Sequence, residues 1–222
     1  MSANRCASPL PLVLLGAGGH ARVLLALARA AGHEVVGVCD PALAAEGAAQ
    51  WLEVPVLGGD EAVAGLDASR VGLINGIGQL VGSVARRNLY QRMTAAGHVF
   101  PALIHPAAWV APDVVLEGGA QVMAGAVVQP GCRIGENSII NTRAGVDHDC
   151  RIGAHVHIAP GATLCGGVQV GDDAFIGAGA LLIQGIHVGE RAVLGAGASL
   201  VKDLAADLVF LGAAGRLRPP SA

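Results

Sequence analysis

The sequence predicts an α/β chain in two parts: a strand, glycine turn, helix and strand open it, and an aliphatic residue recurs at every sixth position from Ile104 to Leu200. The first pattern is that of a half-Rossmann-like βαβ domain. The second is that of a left-handed parallel β-helix, a three-sided prism of short strands. The expected boundaries are 1–102 for the α/β domain, 103–203 for the β-helix and 204–222 for a C-terminal tail.

The opening strand is the run Leu12 to Leu15, followed by "GAGGHA" (Gly16 to Ala21) and the helical pattern "RVLLALARAAGH". Gly32 ends that helix as a C-terminal glycine does. "EVVGVCDP" is the second strand and closes on Asp40. Glycines suit such a turn because the backbone must bend sharply and approach phosphate oxygens, which then meet the free N–H groups of the helix N-terminus. Gly16, Gly18 and Ala21 satisfy G-x-G-x-x-A, and Asp40 stands where an acidic residue meets a ribose in dinucleotide enzymes. The α/β material ends near residue 102, after "VPVLGGDEAVAGL", the strand "VGLINGIG" and the helix "GSVARRNLYQRMTAAGH". Half a doubly wound sheet suits one nucleotide better than two. A nicotinamide-binding regulatory or redox protein stays open as an alternative on the glycine loop alone, as does a loop that is only a packing turn.

From Ile104 onward the six-residue step runs without exception through aliphatic residues, and four positions after each anchor up to Leu194 the side chain is Ala, Val, Cys, Ser or Ile. Neither a 3.6-residue nor a 2-residue period produces this. Aliphatic anchors fill the prism, small residues fit its corners, and three units make a coil of 18 residues. Cys132 and Cys150, one coil apart, are therefore expected as inward core residues.

Composition restricts the partners. The formal net charge is −3, charged residues are 14% and Lys202 is the single lysine, which leaves no electrostatic footprint for nucleic acid or a membrane surface. Glycine is abundant at 33 while aromatics are 3%, as a tightly turning backbone packed with aliphatics requires. The five cysteines show no CxxC spacing, so a reducing, cytoplasmic setting is expected. Arg5 and "PLPLVLLGA" imitate a short signal peptide but run directly into the glycine loop, as a buried first strand does. No run approaches the ~18 apolar residues of a membrane span.

The stretch "NTRAGVDHDCRIGAHVHIAPG" (Asn141 to Gly161) carries His148, His155 and His157. Val146, Cys150 and Val156 are inward in this register, so Asp147, His148 and Asp149 form an outward corner, and His155 and His157 are expected to project outward. No pair of these histidines repeats one coil apart, so no metal is expected. Solvated turn residues are a further possibility. A catalytic role explains more, because a histidine takes a proton from an attacking amine or hydroxyl and an adjacent carboxylate raises its basicity. No Ser or Cys stands in a nucleophile motif, which favours direct acyl transfer. The backbone N–H groups of "LCGGV" (Cys165, Gly166, Gly167) are the expected oxyanion donors.

At this point the chain resembles the sialic acid O-acetyltransferase family that includes PglD-type nucleotide-sugar N-acetyltransferases. "GAGGHA", "INGIGQL", "RRNLYQ", the histidine stretch, "AFIGAGA" and "LGAGASLVKDL" occur in that family's order. The resemblance implies transfer of acetyl from acetyl-coenzyme A to the amine of a nucleotide-linked 4-amino sugar for glycan assembly, in a homotrimer that binds the cofactor in clefts between neighbouring prisms. It implies His148 as general base and Asp149 as its carboxylate partner. His157, Gly166, Ala178 and Ala196 correspond to cofactor contacts, and Gly18, Gly19, His20, Asp40, Gly78 and Arg86 to the nucleotide-sugar site. An O-acetyltransferase on a sialic-acid-like sugar would need the same base. Two positions depart from the family: Pro41 replaces a second acidic residue, and "GAAGR" (Gly212 to Arg216) replaces G-x-P-A.

Overall fold

The structure, a computed structural model, describes residues 10–212. The leader-like residues before Leu10 and the tail beyond Gly212, with most of "GAAGR", lie outside the described residues. The chain divides into two compact units. The first comprises Met1–Ala108 with Glu117–Ala124, and the second Trp109–Leu116 with Gly125–Ala222.

The first unit is a five-stranded sheet with helices. Its elements are β1 (Leu12–Leu15), α1 (Gly19–Ala30), β2 (Val35–Cys39), α2 (Pro41–Ala45), β3 (Gln50–Trp51), β4 (Val54–Gly58), a 3-10 turn (Asp60–Gly65), β5 (Gly72–Asn75) and α3 (Ala85–Ala95). The strand order is β3-β4-β2-β1-β5, parallel except for the β3–β4 hairpin. β1 is fully buried, as the unbroken run LVLL dictates for a central parallel strand. A core of Val13, Leu15, Leu73, Leu89, Tyr90 and Met93 packs on the sheet. The strands Leu103–Ile104 and Gln121–Val122, paired in parallel, complete this unit.

The second unit is the left-handed parallel β-helix. One face stacks Trp109–Val110, Val127–Val128, Gly145–Val146, Thr163–Leu164, Leu181–Leu182 and Ser199–Leu200. A second stacks Val115–Leu116, Arg133–Ile134, Arg151–Ile152, Gln169–Val170 and His187–Val188. The third stacks Ile139–Ile140, His157–Ile158, Phe175–Ile176, Val193–Leu194 and Val209–Phe210. In each of these strands but Val209–Phe210 the second residue is the anchor of the six-residue pattern, and every anchor from Val122 to Leu200 is buried. Ile104, at the head of the array, is instead 39% exposed, because the stack does not yet enclose it. The residues four positions on are inside as expected from Ala120 onward, including Cys132 and Cys150, whereas Ala108 and Val114 are half-buried. Stacking continues into the expected tail, where Leu204 bridges Val188 and Val209–Phe210 pairs with Val193–Leu194. Among the described residues no helix is long and apolar enough to cross a membrane.

Candidate active site

In the first unit, β1 delivers the chain to Gly16, whose φ of +91° requires glycine. The Gly16 N–H donates to Cys39 O (2.7 Å). Gly18 is the N-cap of α1 without any side-chain cap, and no acidic residue occupies the first turn. No side chain therefore caps this helix end, an arrangement that suits an anion. Neither Gly18 nor Gly19 has positive φ, and a Cβ on either would meet no atom within 4 Å. The backbone geometry does not demand these two glycines; what they provide is open space over the helix end.

The other members of the expected nucleotide-sugar group support this loop from within the unit. Asp40 accepts from the Ala17 N–H with Oδ2 (2.9 Å) and caps α2 with Oδ1, which accepts from Ala42 N–H (2.9 Å) and Leu43 N–H (3.0 Å). Pro41 fits as the first residue of α2, where its missing N–H costs nothing. The His20 Nε2 shares a hydrogen with Gln121 Oε1 (2.9 Å), and Gln121 Nε2 donates to Asn75 O (3.0 Å). Gly78 lies under His20, since a Cβ there would come 3.3 Å from His20 Cβ. Arg86 is buried, and its Nη1 donates to Asn75 O (2.9 Å) and Ile77 O (2.7 Å). Burial pushes its guanidinium down to about 9. These two Nη1 bonds to main-chain carbonyls brace the segment that carries Gly78. Gln121 and Asn75 were not among the expected residues; nothing in their local pattern marks them, since their role arises from chain segments far apart in sequence.

In the second unit, His148 and Asp149 form one corner of the prism. The Asp149 backbone is left-handed (φ +59°), as the second residue of these corners repeatedly is. Its Oδ2 meets His148 Nδ1 at 2.9 Å, and Asp147 Oδ1 accepts the His148 N–H (2.8 Å). The pair stands in solvent, His148 62% and Asp149 69% exposed. The bond to Asp149 and the charge of Asp147 raise the His148 pKa above the ordinary histidine value. With Nδ1–H donated to Asp149, the neutral ring presents the Nε2 lone pair. From inside the prism, the Cys132 thiol donates to Asp147 O (3.0 Å) and the Cys150 thiol to Cys165 O (3.3 Å), fastening the corner's backbone.

Gly166 lies one coil on from His148. A Cβ on it would sit 2.5 Å from His148 Nε2, so only glycine lets the ring lie there. Of the three expected oxyanion donors, two are occupied: Cys165 N–H donates to Leu182 O (3.0 Å) and Gly167 N–H to His148 O (2.8 Å). The ladder consumes them because they follow the strand register, whereas the first residue of a corner falls between rungs. Gly166 N–H is the one without a main-chain acceptor among the described residues.

Ala178 and Ala196 occupy a different corner, stacked one coil apart and exposed. There too the second corner residues carry the ladder, Gly179 N–H donating to Pro160 O (2.9 Å) and Gly197 N–H to Ala178 O (2.8 Å). His157 lies on the face that leads into that corner. His148 with Gly166, and Ala178 with Ala196, are therefore not brought together on one corner of a single prism.

His155 and His157, expected to project outward, are not open to solvent. They are 6% and 9% exposed. His155, in a left-handed corner position, meets Asn137 Nδ2 at 3.0 Å and lies 3.8 Å from Glu136 Oε1. His157 accepts from Asn141 Nδ2 at 3.0 Å and stands edge-on to Phe175, ring centres 5.0 Å apart. Outward side chains on successive coils lie only about 4.8 Å apart, so each can cover the next. Among the described residues no group of three or more His, Cys, Asp or Glu is arranged to hold a metal ion.

Three family models match the chain: the PglD N-terminal domain over residues 11–93, the bacterial transferase hexapeptide over 131–166 and the hexapeptide repeat of succinyl-transferase over 167–202. A search of curated proteins returned no match. Among solved structures, the acetyltransferase domain of PglB from Neisseria gonorrhoeae FA1090, in complex with acetyl-coenzyme A, is 34% identical over 91% of this chain and 96% of that one, with a TM-score of 0.83. PerB from Caulobacter crescentus, in complex with CoA and GDP-perosamine, is 37% identical over 93% of this chain and 95% of that one, also at 0.83. WeeI from Acinetobacter baumannii AYE, at 23% identity and a TM-score of 0.80 over 92% of this chain and 97% of that one, shares the fold. With the PglD N-terminal domain, the hexapeptide prism and these relatives along nearly its whole length, the chain belongs to the PglD-like family of hexapeptide-repeat sugar N-acetyltransferases.

Proposed function

We propose that the protein transfers acetyl from acetyl-coenzyme A to the amino group of a nucleotide-linked 4-amino sugar, with His148 as general base. The observation that carries this reading is the His148 ring, held by Asp149 at Nδ1 and lying with Nε2 against the side-chain-free Gly166, whose N–H has no main-chain acceptor among the described residues. An amine attacking a thioester carbonyl loses its proton to Nε2 while the carbonyl oxygen takes charge against the Gly166 N–H. The tetrahedral intermediate collapses, the C–S bond breaks, and the imidazolium returns the proton to the coenzyme A sulfur. No acyl-enzyme is needed.

Two relatives support the donor and acceptor classes, one holding acetyl-coenzyme A and the other CoA with GDP-perosamine. The Caulobacter enzyme was also solved with CoA and GDP-perosamine after replacement of one histidine by asparagine or alanine. In this chain the open loop at Gly18 and Gly19 holds the phosphates of the nucleotide. Asp40, with oxygens engaged by Ala17, Ala42 and Leu43, is committed to shaping that loop, which speaks against a dinucleotide mode in which a carboxylate grips a ribose. Three chains associate, and the cofactor lies between the His148 corner of one prism and the Ala178–Ala196 corner of its neighbour.

The test is product analysis with acetyl-coenzyme A and UDP-, GDP- and dTDP-linked 4-amino sugars alongside hydroxyl acceptors. Amide formation on one nucleotide sugar is expected. Ester formation on a hydroxyl acceptor with no amide product would replace this reading with sugar O-acetylation.

A further inference from the structure

Gly145 is a glycine that the fold does not require. It is the outward residue of the strand Gly145–Val146, and its φ is not positive. A Cβ built on it would meet no atom within 4 Å. Glycine in a strand weakens it and marks a place where another group approaches the backbone closely. Its neighbours in the same row, one coil to either side, are Val127 and Thr163, both with full side chains. The gap between them is an open groove of about 210 Å³, lined by Val127, Gln129, Val146, Thr163, Asp147 and Cys165. Asp147 and Cys165 directly precede His148 and Gly166, so the notch borders the catalytic corner.

We propose that this notch receives the acyl chain of the thioester donor and that the enzyme transfers acyl groups longer than acetyl, an inference that rests on the acetyl-transfer reading above. The carbonyl oxygen faces the Gly166 N–H and the amine faces His148 Nε2. Two substituents of the carbonyl carbon remain, the coenzyme A sulfur and the acyl tail; with the sulfur led away by the cofactor toward the neighbouring prism, the tail takes the space beside Cys165. An acetyl methyl fills little of a 210 Å³ groove, whereas a propionyl or butyryl chain makes use of it. The chemistry is unchanged: an amide N–C bond forms, the thioester C–S bond breaks, and the amine proton passes through His148 to the coenzyme A sulfur.

The experiment compares initial rates with acetyl-, propionyl- and butyryl-coenzyme A for the wild type, Gly145→Ala and Gly145→Val. The wild type should use butyryl-coenzyme A with kcat/KM within about 10-fold of acetyl-coenzyme A, and Gly145→Val should lower butyryl relative to acetyl transfer by about 100-fold, the discrimination expected of a methylene or two in a filled pocket. Gly145→Ala should fall between. A wild type that uses acetyl but rejects butyryl overturns the inference and leaves acetyl transfer standing. A wild type that uses none of the three donors overturns both. If Gly145→Val loses all donors in proportion, or its oligomer dissociates, the notch seats a neighbouring copy of the chain and the inference fails.

Discussion

His148 depends on its two neighbours in sequence. Asp149 holds Nδ1 and Asp147 holds the backbone N–H, and both carboxylates raise the ring's pKa. A base works only in its neutral form, so the raised pKa sets the acidic limb of the pH–rate profile above that of an ordinary histidine. Asp149→Asn removes the larger cause. The limb of kcat/KM should then move to lower pH, while the plateau falls by about 10-fold or more as the tautomer loses its support. A limb that stays in place would mean that another group titrates. The "VDHD" spacing was enough to find this corner, because the six-residue register makes it outward. The same register said nothing of cover: His155 and His157 point outward yet are enclosed by Asn137, Asn141 and Phe175 from other coils.

At the scale of the element, corners explain which groups can do chemistry. At most corners the ladder takes the N–H of the second residue and omits that of the first, which is why Gly166 N–H has no main-chain acceptor among the described residues where Gly167 N–H does. Glycine after an anchor answers a different need. A Cβ on Gly177 would lie 2.5 Å from Ala196 N, so the next coil's backbone forbids it, whereas Gly145 faces open space. The same substitution should therefore differ sharply at the two sites. Gly177→Ala should destabilise by about 1–3 kcal/mol through overpacking. Gly145→Ala should stay within about 0.5 kcal/mol of the wild type, as surface changes do. Urea denaturation followed by circular dichroism reads both; equal midpoints would contradict this account of the stacking. The prism was evident from its six-residue period, but the difference between these glycines was not, because only the next coil's position reveals it.

For the whole molecule, the α/β unit and the prism were each apparent in the chain, one from its glycine turn and the other from its repeat. Less apparent were the partners that build the loop's support, Gln121 and Asn75, since no local spacing encodes them, and the burial of Arg86 against main-chain carbonyls. One prism alone places His148 and Gly166 on one corner and Ala178 and Ala196 on another, so the proposed assembly of three chains is what unites base and cofactor. The central claim is that His148 takes the amine proton. The direct measurement is the turnover of His148→Ala with acetyl-coenzyme A and the nucleotide amino sugar, alongside its oligomeric state and acetyl-coenzyme A affinity. The account predicts a fall in kcat of about 10² or more with assembly and cofactor binding retained; near-normal turnover in that variant would contradict it.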